Sequence, residues 1–573
     1  MVSYKLNPFA HFVESHLLPV PQFAVFNRLT GELVELAPTA LSLLMAVKQG
    51  SAISFDESQL EQLAKYNSEI VTLIQQQFLT PNDDVTLAAF AGYYVARPLQ
   101  SPAITYRTET GTTMLVRLSM TERVFSPAAD QVAPVIEEEM PPVAARIFSV
   151  ADGRKTLAEI ASAETPGQNG VDAPSFCEAM DFLTKPERQL VKLTLENEGF
   201  DHPNEPVNTV PRNLYHAPRS GAPARGTDSK ALTDFHQEGI RNAEWEFDVV
   251  ESTVNHAFRF PNEALGGMDY GSRFCVSTLK QEIVARLGNS DCLNILEVGG
   301  GTGSFARAFL NQARSMNTSV RYHILDLAPA LIESQRQLLS NASPPVEHFQ
   351  QDATAFDLPG REFDLIIANE VIADFPTAEV QRNSSPQADA GHQWIGEGGQ
   401  YVEKYSLSVD DAPQQFLVNA GVFKFVERAW SHLAPGGALV VSEYGGEHKY
   451  PAEAFHLNHA EFSIHFGHVM DCARKVGFQS RLLTLGDFLG VNEDVSMLNG
   501  NNEHIQCLNH VFKKYGASLE FRLISEREFK ERFQELATRI DLCGYSFRPL
   551  AGGFHYGPNI RDFMVLIMRK PVA

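Results

Sequence analysis

The clearest pattern of apolar and polar positions lies near the middle of the chain. Residues 293–296 are a short apolar run, and Phe305, Ala308 and Phe309 recur at the spacing of one helix face. Between them, four of the five residues 299–303 are glycine. The pattern predicts a buried strand, a tight turn where the backbone can approach a ligand, and a helix.

Further apolar runs extend this unit into an α/β sheet. Tyr322 to Asp326 predicts a second strand, Phe363 to Ala368 the fourth, and Phe563 to Met568 the last one. The alternation of such runs with helical patterns is typical of a parallel, doubly wound sheet.

The chain before residue 196 predicts two small α+β units of related layout. Residues 23–26 and 32–36 predict a hairpin, and residues 38–47 a helix. Residues 147–183 have the succession of strand or helix, turn and helix that is typical of a winged helix. The predicted organisation is a first unit at 1–100, a second unit at 101–195, a proline-rich linker at 196–230 and the α/β domain at 231–573, with a polar insert at 377–415. An insert at the catalytic edge of such a sheet is typical of a lid or substrate wall, and disorder without function is the alternative.

Acidic residues follow the predicted strands. The glycine turn lacks the Gly-Lys-Ser/Thr ending of a P-loop, which argues against an NTPase. Glu297 would be repelled by a diphosphate and would be stabilised beside an ammonium group. Asp326 can accept ribose hydroxyls, and Asp352 is placed to meet an adenine amino group. This order favours S-adenosylmethionine over the rival, a nicotinamide dinucleotide.

Composition narrows the function. The 573 residues carry 47 Lys and Arg against 70 Asp and Glu, a net charge of −23 that disfavours nucleic acid and anionic membranes as partners. The six cysteines are scattered, which predicts neither a disulfide framework nor a zinc knuckle and fits a reducing cytoplasm. The sequence shows no secretion signal and no apolar run of 18 residues.

The order Glu297, glycine turn, Asp326, Asp352 and Phe363 to Asn369 resembles the class I methyltransferases. Within that class, residues 255–570 resemble the MidA family, which includes a mitochondrial complex I assembly factor that methylates protein arginine. Asn369, Glu370 and Pro376 match its Asn-Glu-x-x-Asp-Ala-x-Pro signature, whereas Ala373 stands where the aspartate belongs and Asp374 follows one place late. The first N-terminal unit is similar to the PqqD-type element found with enzymes that modify ribosomal peptides.

The resemblance implies a Rossmann-like class I domain with an N-terminal, winged-helix-like α+β portion. Further family-like points are Gln335, the Glu443-Tyr-Gly445 step after a strand, and His465 to His468 before a helix. The expected cofactor-binding residues are Tyr270, Arg273, Glu297, Gly299, Gly301, Gly303, Asp326, Leu327, Gln335, Asp352, Ala353 and Asn369.

The candidate catalytic residues are Asn369, Glu370, Asp374, His465 and His468. Glu370 could pair with a cationic acceptor, the Asn369 carbonyl could accept an N–H, and a histidine could take the proton. The alternative is that Asn369 and Glu370 cap the helix after the strand. The histidines between residues 445 and 470 lack a metal-ligand pattern, so no metal is expected.

These observations predict a cytoplasmic methyltransferase that modifies a side-chain nitrogen of a peptide or protein. A leader peptide could bind the N-terminal portion by strand addition, which would suit the maturation of a ribosomal peptide natural product. Three alternatives stay open: a protein-arginine methyltransferase acting on an assembly partner, a non-catalytic cofactor-binding protein, and an N-terminal portion that serves only packing or homodimerisation.

Overall fold

The structure is a computed structural model. It describes the chain except for residues 1, 8, 16–21, 31–32, 49–52, 56–58, 60–67, 77, 82–89, 97–102, 119–134, 163–172, 186–187, 189, 196–252, 281–291, 383–393, 457–458, 501, 553–558 and 573. The predicted linker at 196–230 lies outside the described residues.

Residues up to 195 form four three-stranded antiparallel sheets with helices beside them. The strands are β1 (Val2–Leu6), β2 (Ala10–Ser15), β3 (Gln22–Asn27), β4 (Leu33–Glu35), β5 (Ile53–Phe55), β6 (Leu79–Pro81), β7 (Tyr94–Ala96), β8 (Ala103–Arg107), β9 (Thr113–Leu118), β10 (Val135–Glu139), β11 (Asp152–Thr156) and β12 (Lys192–Thr194). The helices are α1 (Pro38–Lys48), α2 (Ser68–Gln75), α3 (Pro142–Val150), α4 (Leu157–Ser162) and α5 (Ala173–Thr184). The pairing of β3 with β4 and the position of α1 confirm the predicted hairpin and helix. The winged-helix assignment stays a prediction.

The rest of the chain is the α/β domain. Its strands are β13 (Leu293–Val298), β14 (Val320–Asp326), β15 (Glu347–Gln350), β16 (Phe363–Asn369), β17 (Ala378–Arg382), β18 (Trp394–Ile395), β19 (Gln415–Val418), β20 (Leu433–Gly446), β21 (Glu453–His456), β22 (His459–Phe462), β23 (Ile464–His465), β24 (Gln479–Thr484), β25 (Ser496–Asn499), β26 (Ser546–Pro549) and β27 (Phe563–Arg569). Its helices are α6 (Val254–Ala257), α7 (Tyr270–Lys280), α8 (Ser304–Ser315), α9 (Pro329–Leu338), α10 (Gly399–Tyr405), α11 (Ala420–His432), α12 (Phe466–Val476), α13 (Leu485–Leu489), α14 (Asn502–Lys514) and α15 (Glu526–Arg539), with short 3-10 helices at Glu263–Leu265, Ile372–Asp374 and Ile560–Asp562.

The central sheet has the order β15-β14-β13-β16-β20-β27-β24, and β23 also pairs with β20. The five strands from β15 to β20 run parallel, whereas β27 is antiparallel to both of its neighbours. The order confirms the predicted strands and a mixed α/β fold, as expected of a Rossmann-like domain. From β13 the chain proceeds first to one side, through β14 and β15, and then to the other, through β16. Ligands bind such sheets at the carboxyl ends of the two strands where the order reverses, here β13 and β16.

Two apolar cores cover the faces of this sheet. One face packs against α7 and α8, with Phe274, Phe305 and Phe309 in its centre. The other packs against α11 and α12 and includes Phe423 and Phe466. Burial of these aromatic side chains, each worth about 1.5–3 kcal/mol, fixes the helices relative to the strand ends.

The sheet of β8, β9 and β10 packs directly on the α/β domain. Ile104 and Val116 share the core of α14 and α15, and Thr105 exchanges two backbone hydrogen bonds with Cys543, at 2.9 and 2.8 Å. The side chains of His510 and Lys514 on α14 both bind the Glu137 carboxylate. These contacts attach the start of the predicted unit 101–195 to the α/β domain.

The described part of the insert at 377–415 is ordered structure packed into the core. β17 pairs with β18 and β19, and Val380, Val402 and Phe416 are buried in the cluster beside α11. No helix in the described parts of the chain is long and apolar enough to cross a membrane.

Candidate functional site

The glycine turn lies at the carboxyl end of β13, as the sequence predicts. Gly299, Gly301 and Gly303 have φ values of +71°, +50° and +89°, a region that side chains other than glycine rarely adopt. A Cβ atom on Gly299 would lie 2.4 Å from a methyl group of Val371, whereas one on Gly301 would meet nothing within 4 Å. The turn therefore needs glycine for two reasons: backbone conformation at all three positions, and close packing at Gly299.

Glu297 is buried beneath this turn, with 2% of its surface exposed. Desolvation raises the pKa of its carboxyl group to about 8, against a smaller lowering effect of the neighbouring Tyr322 hydroxyl. Its Oε2 atom accepts no hydrogen bond of normal geometry from the described residues. A buried carboxyl group at this turn fits a cofactor that brings an ammonium group and does not fit a diphosphate.

Asp326 and Gln335 support the turn from behind. The Gln335 Nε2 atom donates to the Gly301 carbonyl at 2.9 Å and to Asp326 Oδ2 at 2.8 Å. The other Asp326 oxygen accepts the Ala328 N–H at 3.1 Å. Gln335 is completely buried. The Gln335 amide therefore clamps the turn to the end of β14, and the expected cofactor contacts of Gln335 and Asp326 stay predictions.

The third acid lies at the neighbouring strand end. Asp326 and Gln350 are paired across β14 and β15, and Asp352 follows two residues later on the surface. Its Oδ1 atom accepts the backbone N–H and the hydroxyl of Thr354 at 2.7 and 2.8 Å, which orients the carboxylate. Leu327 is half-buried and Ala353 is buried, so both stay candidates for the wall of an adenine pocket.

Tyr270 and Arg273, both on α7, have different surroundings. The buried Tyr270 hydroxyl donates to Asn369 Oδ1 at 2.7 Å, and desolvation raises the pKa of this tyrosine. The Arg273 guanidinium instead donates to the carbonyls of Leu489 and Gly490, at the end of α13. These carbonyls hold its head group, and the expected contact of Arg273 with a methionine carboxylate stays a prediction.

Asn369 and Glu370 end β16 at the switch point. The Asn369 Nδ2 atom donates to Glu370 Oε1 at 3.3 Å, so both ends of this amide have protein partners. Glu370 has a φ of +50°, an uncommon conformation for a residue with a side chain that costs about 1–3 kcal/mol and is frequent at functional sites.

The Glu370 carboxylate caps a helix, although not the one that follows it in the chain. Its two oxygens accept the backbone N–H groups of Val254 and Asn255, at 2.7 and 3.1 Å, at the start of α6. Desolvation raises the pKa of Glu370 to about 7 in spite of these hydrogen bonds. A cationic acceptor on this carboxylate is the expectation from the sequence, and the structure gives it two backbone donors.

Further carboxyl groups surround this strand end. Glu443, which is 3% exposed, lies within β20 and not after it as the sequence suggested. Its oxygens accept the N–H groups of Ala373 at 3.2 Å and Tyr444 at 2.9 Å. Burial and the charges of Glu370 and Glu461 raise the pKa of Glu443 well above its ordinary value. Asp374 ends the 3-10 helix beside them, and strand β22, which carries Glu461, packs on that helix.

Glu443 and Glu461 are not among the site residues that the sequence predicts. Glu443 follows the apolar run Leu439 to Val441, the same signal that marks Glu297, and could have been found in this way. Glu461 comes from a hairpin whose position only the folded chain shows.

His465 and His468 stack on each other at the start of α12. Their rings stack with centroids 3.6 Å apart, and His465 Nδ1 accepts the His468 backbone N–H at the start of α12. His468 is completely buried, and its Nε2 lies 3.0 Å from the Ser408 carbonyl, so this atom must donate. Desolvation lowers the pKa of His468 and lowers that of His465 to about 3. These lowered pKa values disfavour proton uptake by either ring, and the expected catalytic role stays a prediction.

Among the described residues, no group of three or more His, Cys, Asp or Glu side chains could hold a metal ion.

Comparison with known proteins agrees with this site. Residues 275–450 match a family model described as "Putative S-adenosyl-L-methionine-dependent methyltransferase". A malonyl-[acyl-carrier protein] O-methyltransferase of Paenibacillus sp. (strain JDR-2) is 31% identical over 154 residues, which are 25% of this chain and 51% of the relative. The chain thus spans about half the length of this curated relative.

Two solved structures of methyltransferase type are also similar. A Burkholderia thailandensis protein bound to S-adenosyl-homocysteine has 16% identity, covers 61% of this chain and 96% of its own, and gives a TM-score of 0.33. Phosphoethanolamine N-methyltransferase 2 of Haemonchus contortus, bound to S-adenosyl-L-methionine, has 13% identity, covers 58% and 61%, and gives a TM-score of 0.28. Residues 275–450 are thus similar to S-adenosylmethionine-dependent methyltransferases, with S-adenosylmethionine as the cofactor.

Proposed function

We propose that this chain transfers a methyl group from S-adenosylmethionine to a side-chain nitrogen of a peptide or protein, and that a cationic or readily protonated acceptor is preferred. The observation that carries the proposal is the group of three carboxyl side chains beside Glu370: Asp374, Glu443 and Glu461. They adjoin the switch point where the glycine turn lies.

The carboxyl groups favour a positive ligand over a negative one. Glu370 and Glu461 each raise the pKa of Glu443, so adding further negative charge to this site is unfavourable and adding positive charge is favourable. The curated relative acts, by its name, on a malonyl group, which carries a carboxylate. The carboxyl cluster argues against an anionic acceptor of that kind for this chain.

When bound, S-adenosylmethionine supplies a methyl group on a cationic sulfur, and direct displacement moves it to the nitrogen, which loses a proton. The chain has to align the nucleophile, a task that can be worth about 7–11 kcal/mol. Asn369, oriented by Tyr270, keeps one lone pair of Oδ1 for an acceptor N–H. Asp374 is the candidate to receive the proton, because Glu370 is hydrogen-bonded to α6 and both candidate histidines are buried with lowered pKa values.

The N-terminal portion supports a peptide or protein as substrate. Its small antiparallel sheets have edge strands, such as β4, to which an extended peptide could be added. A leader peptide bound there would suit the maturation of a ribosomally made natural product. A protein-arginine acceptor on an assembly partner is the alternative outcome of the same test.

The test uses the full chain, methyl-labelled S-adenosylmethionine and four peptides that differ only in one central Lys, Arg, Asn or Glu. We expect label on the Lys or Arg peptide and none on the Glu peptide. Asp374→Asn should lower transfer about 100-fold or more, and Glu531→Gln, on the exposed surface of α15, is the matched control. Peptides encoded beside the gene extend the panel. Cofactor binding without transfer to any peptide or protein would make the chain a non-catalytic binder.

A further inference from the structure

The hydrogen bonds of Glu370 lead from the site to α6. This four-residue helix is the first described element after residues 196–252, so it begins the α/β domain. Its first three N–H groups would have no partner within the helix. Two donate to Glu370, at Val254 and Asn255, and the third, at His256, donates to the Thr253 hydroxyl at 3.0 Å.

The same helix contacts the elements that hold the cofactor turn. The Asn255 side chain donates to the hydroxyl of Ser304 at 3.4 Å, and Ser304 is the first residue of α8, directly after Gly303. The residue after α6, Phe258, accepts the backbone N–H of Tyr270 at 2.9 Å. Val254 and Ala257 are buried in the core that contains Phe305. Movement of α6 would therefore disturb the first turn of α8 and the start of α7 together.

We infer that Glu370 is a positioning residue that holds α6 on the cofactor turn and does not itself bind the methyl acceptor. Three N–H groups converge on its carboxylate: those of Val254, Asn255 and the Asn369 amide. The φ of +50° lies at the residue whose side chain makes this connection between β16 and α6, 116 residues apart in the chain. The inference rests on the proposed function only in taking S-adenosylmethionine as the ligand of the turn.

The decisive variant is Glu370→Gln in the full chain. The glutamine amide puts an NH₂ group among three donors, so at least one of the two hydrogen bonds to α6 is lost. We expect amide hydrogen exchange at residues 254–256 to become about tenfold faster and the Kd for S-adenosylhomocysteine to rise about tenfold, as the loss of one charge-assisted bond predicts. At saturating cofactor, kcat should change by less than about threefold.

Thr253→Val changes the start of the same helix and leaves the hydrogen bonds between Glu370 and α6 in place. It removes the hydrogen bond to His256, and we expect it to accelerate exchange at residues 254–256 and to raise the Kd in the same direction. This variant keeps the inference testable if Glu370→Gln fails to fold. Glu531→Gln is again the control.

The opposite pattern would overturn the inference. A Glu370→Gln protein with unchanged exchange and unchanged cofactor affinity, but with kcat lowered about 100-fold, would make Glu370 a catalytic residue for the acceptor. Neither exchange nor product binding requires turnover. Wild-type protein that fails to bind S-adenosylhomocysteine would therefore refute the proposed function, and equal behaviour of wild type and both variants would refute the role of Glu370.

Discussion

Binding of the cofactor should release a proton from Glu297. With its pKa raised to about 8, this carboxyl group is about 1% ionised at pH 6 and about 10% at pH 7 in the ligand-free protein. An ammonium group beside it is stabilised only by the ionised form. The apparent affinity should therefore scale with the ionised fraction and rise about tenfold from pH 6 to pH 7.

Isothermal titration calorimetry with S-adenosylhomocysteine, in two buffers of different ionisation enthalpy, measures the affinity and the number of protons released. We expect about 0.9 proton released per ligand bound at pH 7. The titrations are kept below pH 7.5, because the α-amino group of the ligand has a pKa of about 7.7–8.0 and loses its charge at higher pH. Glu297→Gln should bind more weakly, with no proton release and no dependence on pH in this range. A wild-type protein with a constant Kd and no proton release between pH 6 and 7 would refute the reasoning.

The same group should make the ligand-free protein less stable as pH rises. Its folded pKa lies above the unfolded value, so between about pH 4.5 and pH 8 the folded state holds the extra proton and the unfolded state does not. Within this window the contribution of Glu297 to the free energy of unfolding falls by about 1.4 kcal/mol per pH unit. In thermal melts across this pH range, the stability of Glu297→Gln should fall less steeply with pH than that of the wild type. An identical dependence of stability on pH in both proteins would contradict the raised pKa.

Three further sets of substitutions test the geometry of the turn and the strand end. Gln335→Met removes the clamp on the Gly301 carbonyl and should lower the free energy of unfolding by about 2–4 kcal/mol in urea, since this carbonyl and a buried Asp326 oxygen each lose the hydrogen bond from Gln335. An unchanged midpoint would argue against the clamp. Gly299→Ala should abolish binding of S-adenosylhomocysteine in calorimetry, because its Cβ atom would overlap the side chain of Val371. Gly301→Ala, whose Cβ atom would lie in open space, should cost only about 1–2 kcal/mol of stability. Equal effects of the two variants on binding and on stability would mean that backbone conformation alone matters. Tyr270→Phe should cost about 1–2 kcal/mol of stability, and its effect on methyl transfer should not add to that of Asn369→Ala, because the two share one hydrogen bond; additive losses in a double-mutant cycle would contradict this.

The parts of the site that the sequence predicts are those set by short-range patterns. The run before Gly299 and the helical spacing of Phe305 and Phe309 are local, and the structure confirms the strand, the turn and the helix. Acidic residues at strand ends, such as Asp326, are located once the strands are known.

The parts that the sequence does not predict depend on which partner is nearest in space. Glu370 lies where a catalytic carboxylate is expected, but its donors lie 116 and 115 residues earlier. Arg273 follows Tyr270 by one helical turn, yet its partners lie 216 and 217 residues later. The spacing of His465 and His468 is equally suited to a shared site and to stacking at a helix start. In each case the chemistry of the residue is compatible with the site, and only the folded chain shows which groups it contacts.

Burial also changes the protonation of the carboxyl groups in the site. Burial raises the pKa values of Glu297 to about 8 and of Glu370 to about 7, and it also raises the pKa of Glu443. At neutral pH, before ligands bind, much of the carboxyl charge is therefore neutralised by protons, although the chain as a whole carries −23. A cation that enters the site replaces a proton, so the protein meets the cost of burying carboxylate charge only when the ligand's positive charge is present to balance it. That exchange explains how several acids can lie together at one sheet edge without destabilising the fold, and it favours positively charged ligands over neutral or anionic ones.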